Sequence, residues 1–135
     1  MTGIHKSPKC PSGPFKYRSS WELATARYFD ENPLVVSYEY ESIKIPYISN
    51  KKSGKIRSYI PDFLVTFLGG RKVLVEVKRI SALNQLKVRQ KAQAARIWAA
   101  QNKMVYEFYT DDIIKAFKET QKYHDLYNVG TNNSK

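Results

Sequence analysis

A Gly69-Gly70 pair between two β-like stretches constrains this chain more than any other feature. The stretch before it, Lys55 to Phe67, carries Pro61-Asp62; the stretch after it, Arg71 to Val77, runs into Glu76-Val77-Lys78. Glycine tolerates the positive φ of a tight reversal, so a hairpin is expected here. Strand side chains repeat every second residue, so Glu76 and Lys78 share a face, and the hairpin sets Asp62 on the neighbouring strand. Val73, Val75 and Val77 take the opposite parity and look to the core. Leu74 shares the parity of Glu76 and Lys78, so the strand reads as buried on both faces at its start, with its charges near the open end. Charges in that setting are costly unless a metal or a partner compensates them.

Taken singly, Asp62 after Pro61 is equally a turn residue, and Glu76 with Lys78 equally a solvated strand face. Together they bring two carboxylates and an ammonium to one spot. Oxygen ligands for a hard cation, beside a positive group near water or phosphate, are what a Mg²⁺-dependent phosphodiester hydrolase requires. Glu22 enters the same reading. Ser19-x-x-Glu22 has capping-box spacing, which accounts for the glutamate without any chemistry. A helix packed on the sheet also aims a first-turn carboxylate at the strand ends, where a third acidic group helps hold a cation.

The elements are expected in the order α-β-β-β-α-β-α. A helix starts at Ser19 and runs to about Asp30, where Asn32-Pro33 ends it; Trp21, Ala24, Ala26 and Tyr28 or Phe29 supply its buried side. Val35 to Tyr47 is rich in β-branched and aromatic residues, and Asn50 to Gly54 is a polar turn. Ala82 to Gln101 is a long helix, with Leu83, Leu86, Ala94, Ile97 and Trp98 available to its buried side. Met104 to Tyr109 is a short strand, and Thr110 starts a last helix from Asp111 to about Lys122. The strand-helix-strand step from Arg71 to Tyr109 puts its two strands parallel in a mixed sheet flanked by helices, an α/β (α+β mixed) fold. Residues 1–16 read as a flexible basic arm, 17–122 as the folded domain and 123–135 as a flexible tail. Cys10 is then a free thiol in the arm, and with His5 alone it makes too few ligands for a zinc site. Tyr38, Tyr40, Tyr47 and Tyr59 read as half-buried strand residues rather than base-stacking platforms.

At 135 residues the chain supports one domain, and 23 Lys and Arg against 12 Asp and Glu leave a formal charge of +11. Such an excess signals a polyanionic partner. No apolar run approaches the roughly 18 residues that cross a bilayer, and Met1 to Lys16 lacks the apolar core of a signal peptide, so a cytoplasmic location is expected. Between Arg71 and Lys103 lie nine basic residues and a single acid, Glu76. Lys87 and Lys91 are one helical turn apart and nothing acidic relieves them, which favours phosphate contact over a solvated face. Arg79 follows Lys78 directly, and Lys51, Lys52, Lys55 and Arg57 make a second basic cluster suited to backbone phosphates or a groove.

Pro61-Asp62, then Glu76-Val77-Lys78, with a helix glutamate upstream, resembles the PD-(D/E)xK nuclease superfamily. Tyr17-Arg18-Ser19-Ser20-Trp21-Glu22, Tyr38-Glu39-Tyr40-Glu41 and Tyr59-Ile60-Pro61-Asp62-Phe63 are more specific. They resemble the endonuclease fold shared by the catalytic domain of Tn7-type transposase cutting subunits and the head-completion nucleases of tailed phages, over roughly residues 17–110. The resemblance implies a restriction-endonuclease-like core and a DNA substrate. It also implies Mg²⁺ on Glu22, Asp62 and Glu76, with Mn²⁺ able to substitute, and Lys78 assisting the attacking water. A homodimer, or a phage or transposition protein as partner, is compatible with it, as is a host-cytoplasmic setting for a phage-encoded chain. Two other readings stand beside the endonuclease: a Holliday-junction resolvase, and a nucleic-acid-binding or phage structural module whose nuclease site is vestigial.

Overall fold

Alternating and β-branched segments form eight short strands around three helices in the computed structural model, which describes residues 1–133. In chain order they are β1 (Gly3–His5), β2 (Phe15–Tyr17), α1 (Ser20–Glu31), β3 (Val35–Tyr40), β4 (Ile45–Asn50), β5 (Lys55–Tyr59), β6 (Phe63–Phe67), β7 (Lys72–Val77), α2 (Leu86–Gln101), β8 (Val105–Tyr109) and α3 (Asp111–Asn133). A 3₁₀ turn, Ile80–Ala82, precedes α2.

The central sheet has the order β3-β6-β7-β8. Its first two pairings are antiparallel, and β7 lies parallel to β8 after the α2 crossover. The Gly69-Gly70 turn joins β6 to β7 with φ of 90° and 89°, where a Cβ would be strained. Burial on both sheet faces follows the parity of β7. Val73 and Val75 pack with Ala26, Phe29, Val35, Tyr38 and Phe63 on the α1 side. Leu74 packs with Ala92, Ala95, Ala99 and Tyr106 on the α2 side. Tyr28 stacks on Phe117 at 3.9 Å, fixing α3 beside α1. The fold is therefore a mixed sheet between helical layers, as expected for a restriction-endonuclease-like core.

Four expectations need correction. Lys55 to Phe67 is not one strand: Ile60, Pro61 and Asp62 break it, because proline removes a ladder donor. Its first half pairs with β4 in a separate two-stranded sheet, and its second half joins the central sheet. Val35 to Tyr47 divides likewise between β3 and β4.

Second, the buried stripe of α2 is Val88, Ala92, Ala95 and Ala99, while Leu86 and Ile97 are 67% and 54% exposed. Alanines let the helix approach the sheet closely, and the larger side chains are left outside. Third, Tyr38, Tyr47 and Tyr59 are buried rather than half-buried.

Fourth, residues 1–16 pack as structure rather than as a loose arm. β1 pairs with β2, Cys10 is buried in the core, and Phe15 stacks on Tyr40. Asp30 accepts hydrogen bonds from Ser7 and from the Tyr38 hydroxyl and pairs with His5 at 2.7 Å. The Lys9 ammonium donates to the carbonyls of Phe29 and Asn32 at the end of α1. At the other terminus α3 continues past Lys122 to Asn133, into the segment expected to be a tail; residues 134–135 lie outside those described.

Candidate active site

The β6–β7 register assembles the site. Phe63 faces Val75, so one further step places Asp62 opposite Glu76. The step is secured by the Val77 N–H, which donates to Asp62 Oδ2 at 2.7 Å. Lys78 follows the end of β7; its N–H continues the ladder to the Tyr109 carbonyl, and its ammonium lies 3.6 Å from Glu76 Oε2. Glu76 and Lys78 do share a face.

Glu22 arrives from the opposite layer. Ser19 caps α1 by accepting the Glu22 N–H, as its spacing predicts. The glutamate's carboxylate reaches one residue further back than a capping box requires: Oε1 accepts from the Arg18 N–H and from the Tyr40 hydroxyl, each at 2.8 Å. Tyr40 pairs with Phe63, next to Asp62, which brings Glu22 to the end of the sheet. The Arg79 guanidinium lies over the Trp21 ring at 5.1 Å, so the residues following Lys78 meet the first turn of α1.

The three carboxylates are buried: Glu22 and Asp62 are 9% exposed and Glu76 is 8%. Burial pushes Asp62 well above the ordinary carboxylate range, and the charge of Glu76 and, more weakly, of Glu22 pushes the same way, against the Val77 N–H and Lys78. Burial also raises Glu76, countered by the Tyr59 hydroxyl and Lys78. A buried acidic pair with one ammonium at hand retains a deficit of positive charge, which is the electrostatic condition for a cation. Carboxylate oxygens suit Mg²⁺, which takes one or two protein carboxylates and keeps several waters. Among the described residues no group of three or more His, Cys, Asp or Glu forms a ready metal cage. The donor set thus fits a cation held mainly by Asp62 and Glu76, with Glu22 at electrostatic range.

The basic residues fall on the α2 side. Lys91 lies over the Tyr59 ring at 5.6 Å and lines a small cleft with Glu76, Lys78 and Tyr106. Lys87 is exposed one turn earlier, and α2 begins with no side-chain cap and no acid in its first turn. Lys51, from the β4–β5 turn, lines one groove with Arg89 and Arg96. Lys52, Lys55 and Arg57 are exposed on the same hairpin. The tyrosines that touch the carboxylates were not singled out by the sequence reading as site residues. A buried phenol needs a polar partner, and Tyr59 stands three residues before Asp62; that combination was the available signal.

A mixed sheet carrying acidic residues and a lysine at the end of its central strands defines an endonuclease-like α/β domain. The model of the TnsA-like endonuclease N-terminal family matches residues 32–111, and the chain belongs to that family. Asp62, Glu76 and Lys78 lie inside the matched residues, whereas Glu22 lies upstream of them. The chain is also similar to the head completion nuclease of Enterobacteria phage T4, at 34% identity over 62 residues. That match covers 46% of this chain and 41% of the phage protein's length. No helix among the described residues is long and apolar enough to cross a membrane.

Proposed function

We propose that this chain is a Mg²⁺-dependent DNA endonuclease that hydrolyses phosphodiester bonds, a PD-(D/E)xK enzyme in which Asp62 and Glu76 hold the cation. The observation that carries this reading is the register that sets Asp62 opposite Glu76 with the Lys78 ammonium 3.6 Å from Glu76. Family membership and the similarity to a phage head completion nuclease support the reaction class and DNA as substrate. When bound, Mg²⁺ would offset charge on the phosphoryl oxygens and hold water near its attacking position. Glu22 adds a third negative group to the cation's surroundings. Lys78 orients the attacking water and offsets the charge that grows on phosphate in the transition state. The α2 basic residues and the β4–β5 hairpin grip flanking phosphates, which fixes the duplex without reading its sequence.

The test is to incubate the protein with linear, supercoiled and branched DNA, with Mg²⁺, Mn²⁺ or EDTA, and to map the ends. Cleavage that needs the metal and is lost in Asp62→Ala is expected. Cutting confined to branched DNA would identify a junction resolvase instead, and binding without cutting a non-catalytic module.

A further inference from the structure

Two of the three buried carboxylates at the site are held by a buried or half-buried tyrosine hydroxyl. Tyr59 donates to Glu76 Oε1 at 2.7 Å, and Tyr40 donates to Glu22 Oε1 at 2.8 Å. Asp62 is fixed in the equivalent way by the Val77 N–H. Each carboxylate therefore has one oxygen engaged by the protein. Asp62 Oδ1 and Glu22 Oε2 have no hydrogen-bond partner among the described residues. No side-chain polar atom sealed from solvent lacks a partner there, so both oxygens touch solvent. Glu76 Oε2 lies 3.6 Å from the Lys78 ammonium.

Behind Tyr59 stands a second phenol. The Tyr59 and Tyr106 oxygens are 2.7 Å apart, and the rings meet nearly edge-on at 78°. A phenol has one proton to give, and that of Tyr59 is directed to Glu76, so Tyr106 donates to Tyr59. The chain Tyr106 to Tyr59 to Glu76 crosses from β8 through β5 to β7 and ties the separate hairpin sheet to the central sheet. Both phenols are buried.

We propose that Tyr59, backed by Tyr106, and Tyr40 are positioning residues: Tyr59 holds one oxygen of Glu76 so that the other is presented to the cation, and Tyr40 fixes the Glu22 carboxylate at longer range beside it. This rests on the metal-dependent reading above. An outer group that orients a ligand governs how tightly the metal is held, and its removal typically costs about 10- to 100-fold in metal affinity.

The test uses Tyr59→Phe, Tyr40→Phe, Tyr106→Phe and Glu76→Gln in the full chain, with Mn²⁺ binding measured without DNA by calorimetry and by the loss of the free-ion spin-resonance signal. Tyr59→Phe deletes one oxygen and leaves the ring packing in place. Its Mn²⁺ dissociation constant is expected to rise about tenfold, with an unchanged circular dichroism spectrum and unchanged DNA affinity in EDTA. Cleavage by this variant should recover at high Mn²⁺, which a merely structural defect would not do. Tyr40→Phe should weaken Mn²⁺ binding less, because Glu22 stands at longer range and keeps its bond from the Arg18 N–H. Should Tyr59→Phe fail to fold, Tyr106→Phe carries the test, with a smaller loss in the same direction. Wild-type affinity in the folded tyrosine variants, with binding lost in Glu76→Gln, overturns the positioning roles and leaves the metal reading standing. Equal Mn²⁺ affinity in wild type and Glu76→Gln overturns both.

Discussion

Asp62 and Val77 are joined across the β6–β7 hairpin by a 2.7 Å hydrogen bond from the Val77 N–H to Asp62 Oδ2. The bond prolongs the strand pairing by one side chain where the proline-broken backbone cannot. It also faces the two acids of the site toward each other, at a cost to the metal-free protein.

That cost is measurable. The carboxyl of Asp62 is raised well above its ordinary range by burial and by Glu76. Between the unfolded value of about 3.9 and the higher folded value, the folded chain holds a proton that the unfolded chain has released. Stability therefore falls as pH rises through that window and stays lower above it. In EDTA, Asp62→Asn is expected to melt above wild type at neutral pH, with the gap closing as pH falls toward 4. Cleavage by the same variant should drop by at least about 10³-fold, roughly 4 kcal/mol of transition-state stabilisation. A melting gap that stays constant across pH would remove the acid-pair explanation.

Lys78 is expected to contribute more to chemistry than to binding. Its ammonium lies 3.6 Å from Glu76, whereas Lys87, Lys51, Lys52, Lys55 and Arg57 are exposed and available to phosphates. Lys78→Ala should lower kcat by about 10²–10³-fold, the range for one preorganised charge-stabilising donor, while DNA affinity changes little. Single-turnover cleavage of fully bound duplex separates the two effects. A variant that binds poorly yet cuts bound DNA at the wild-type rate would take Lys78 out of the reaction.

The parallel strand-helix-strand step, the Gly69-Gly70 reversal and the Ser19 cap were legible because local periodicity and turn chemistry specify them. The convergence of Asp62, Glu76 and Lys78 was legible because the hairpin sets Asp62 beside the strand on which Glu76 and Lys78 share a parity. The Ile60 to Asp62 break was harder to see, since the residues on both sides favour strands and only tertiary pairing assigns them to different sheets. The N-terminal segment was misread because its prolines, glycines and lysines have the composition of a loose arm. Its order comes from three long-range contacts that composition does not reveal: Cys10 in the core, Phe15 on Tyr40, and Lys9 on the end of α1. The tyrosine donors were hidden for a related reason, because a buried strand tyrosine reads as packing until its hydroxyl partner is known.

The N-terminal segment should accordingly matter to stability and not to catalysis. Lys9→Met keeps the apolar stem and removes the ammonium that serves the Phe29 and Asn32 carbonyls. A cation at a partly buried helix end contributes about 1–2 kcal/mol. Lys9→Met is therefore expected to lower Tm by roughly 3–8 °C with kcat unchanged. An unchanged Tm in thermal melts would mean that the Lys9 contacts at the end of α1 add nothing to the fold.

The basic helix provides the test of how DNA is gripped. Lys87 is exposed near the uncapped start of α2, and Lys91, one turn on, lies over Tyr59 at the edge of the acidic centre. Both stand where phosphates flanking a bond at Glu76 and Lys78 would run. Each phosphate contact on duplex DNA adds about 0.9 to the slope of log affinity against log salt. Lys87→Ala with Lys91→Ala should thus make that slope shallower by at most about 2 units. Sequence preference should hardly move, because phosphate contacts carry no base information. Affinities measured in EDTA across a salt series keep cleavage out of the measurement. An unchanged slope would mean that this face is only solvated. The grip would then belong to the groove where Lys51 of the β4–β5 turn meets Arg89 and Arg96, and Lys51→Ala should shift the slope instead.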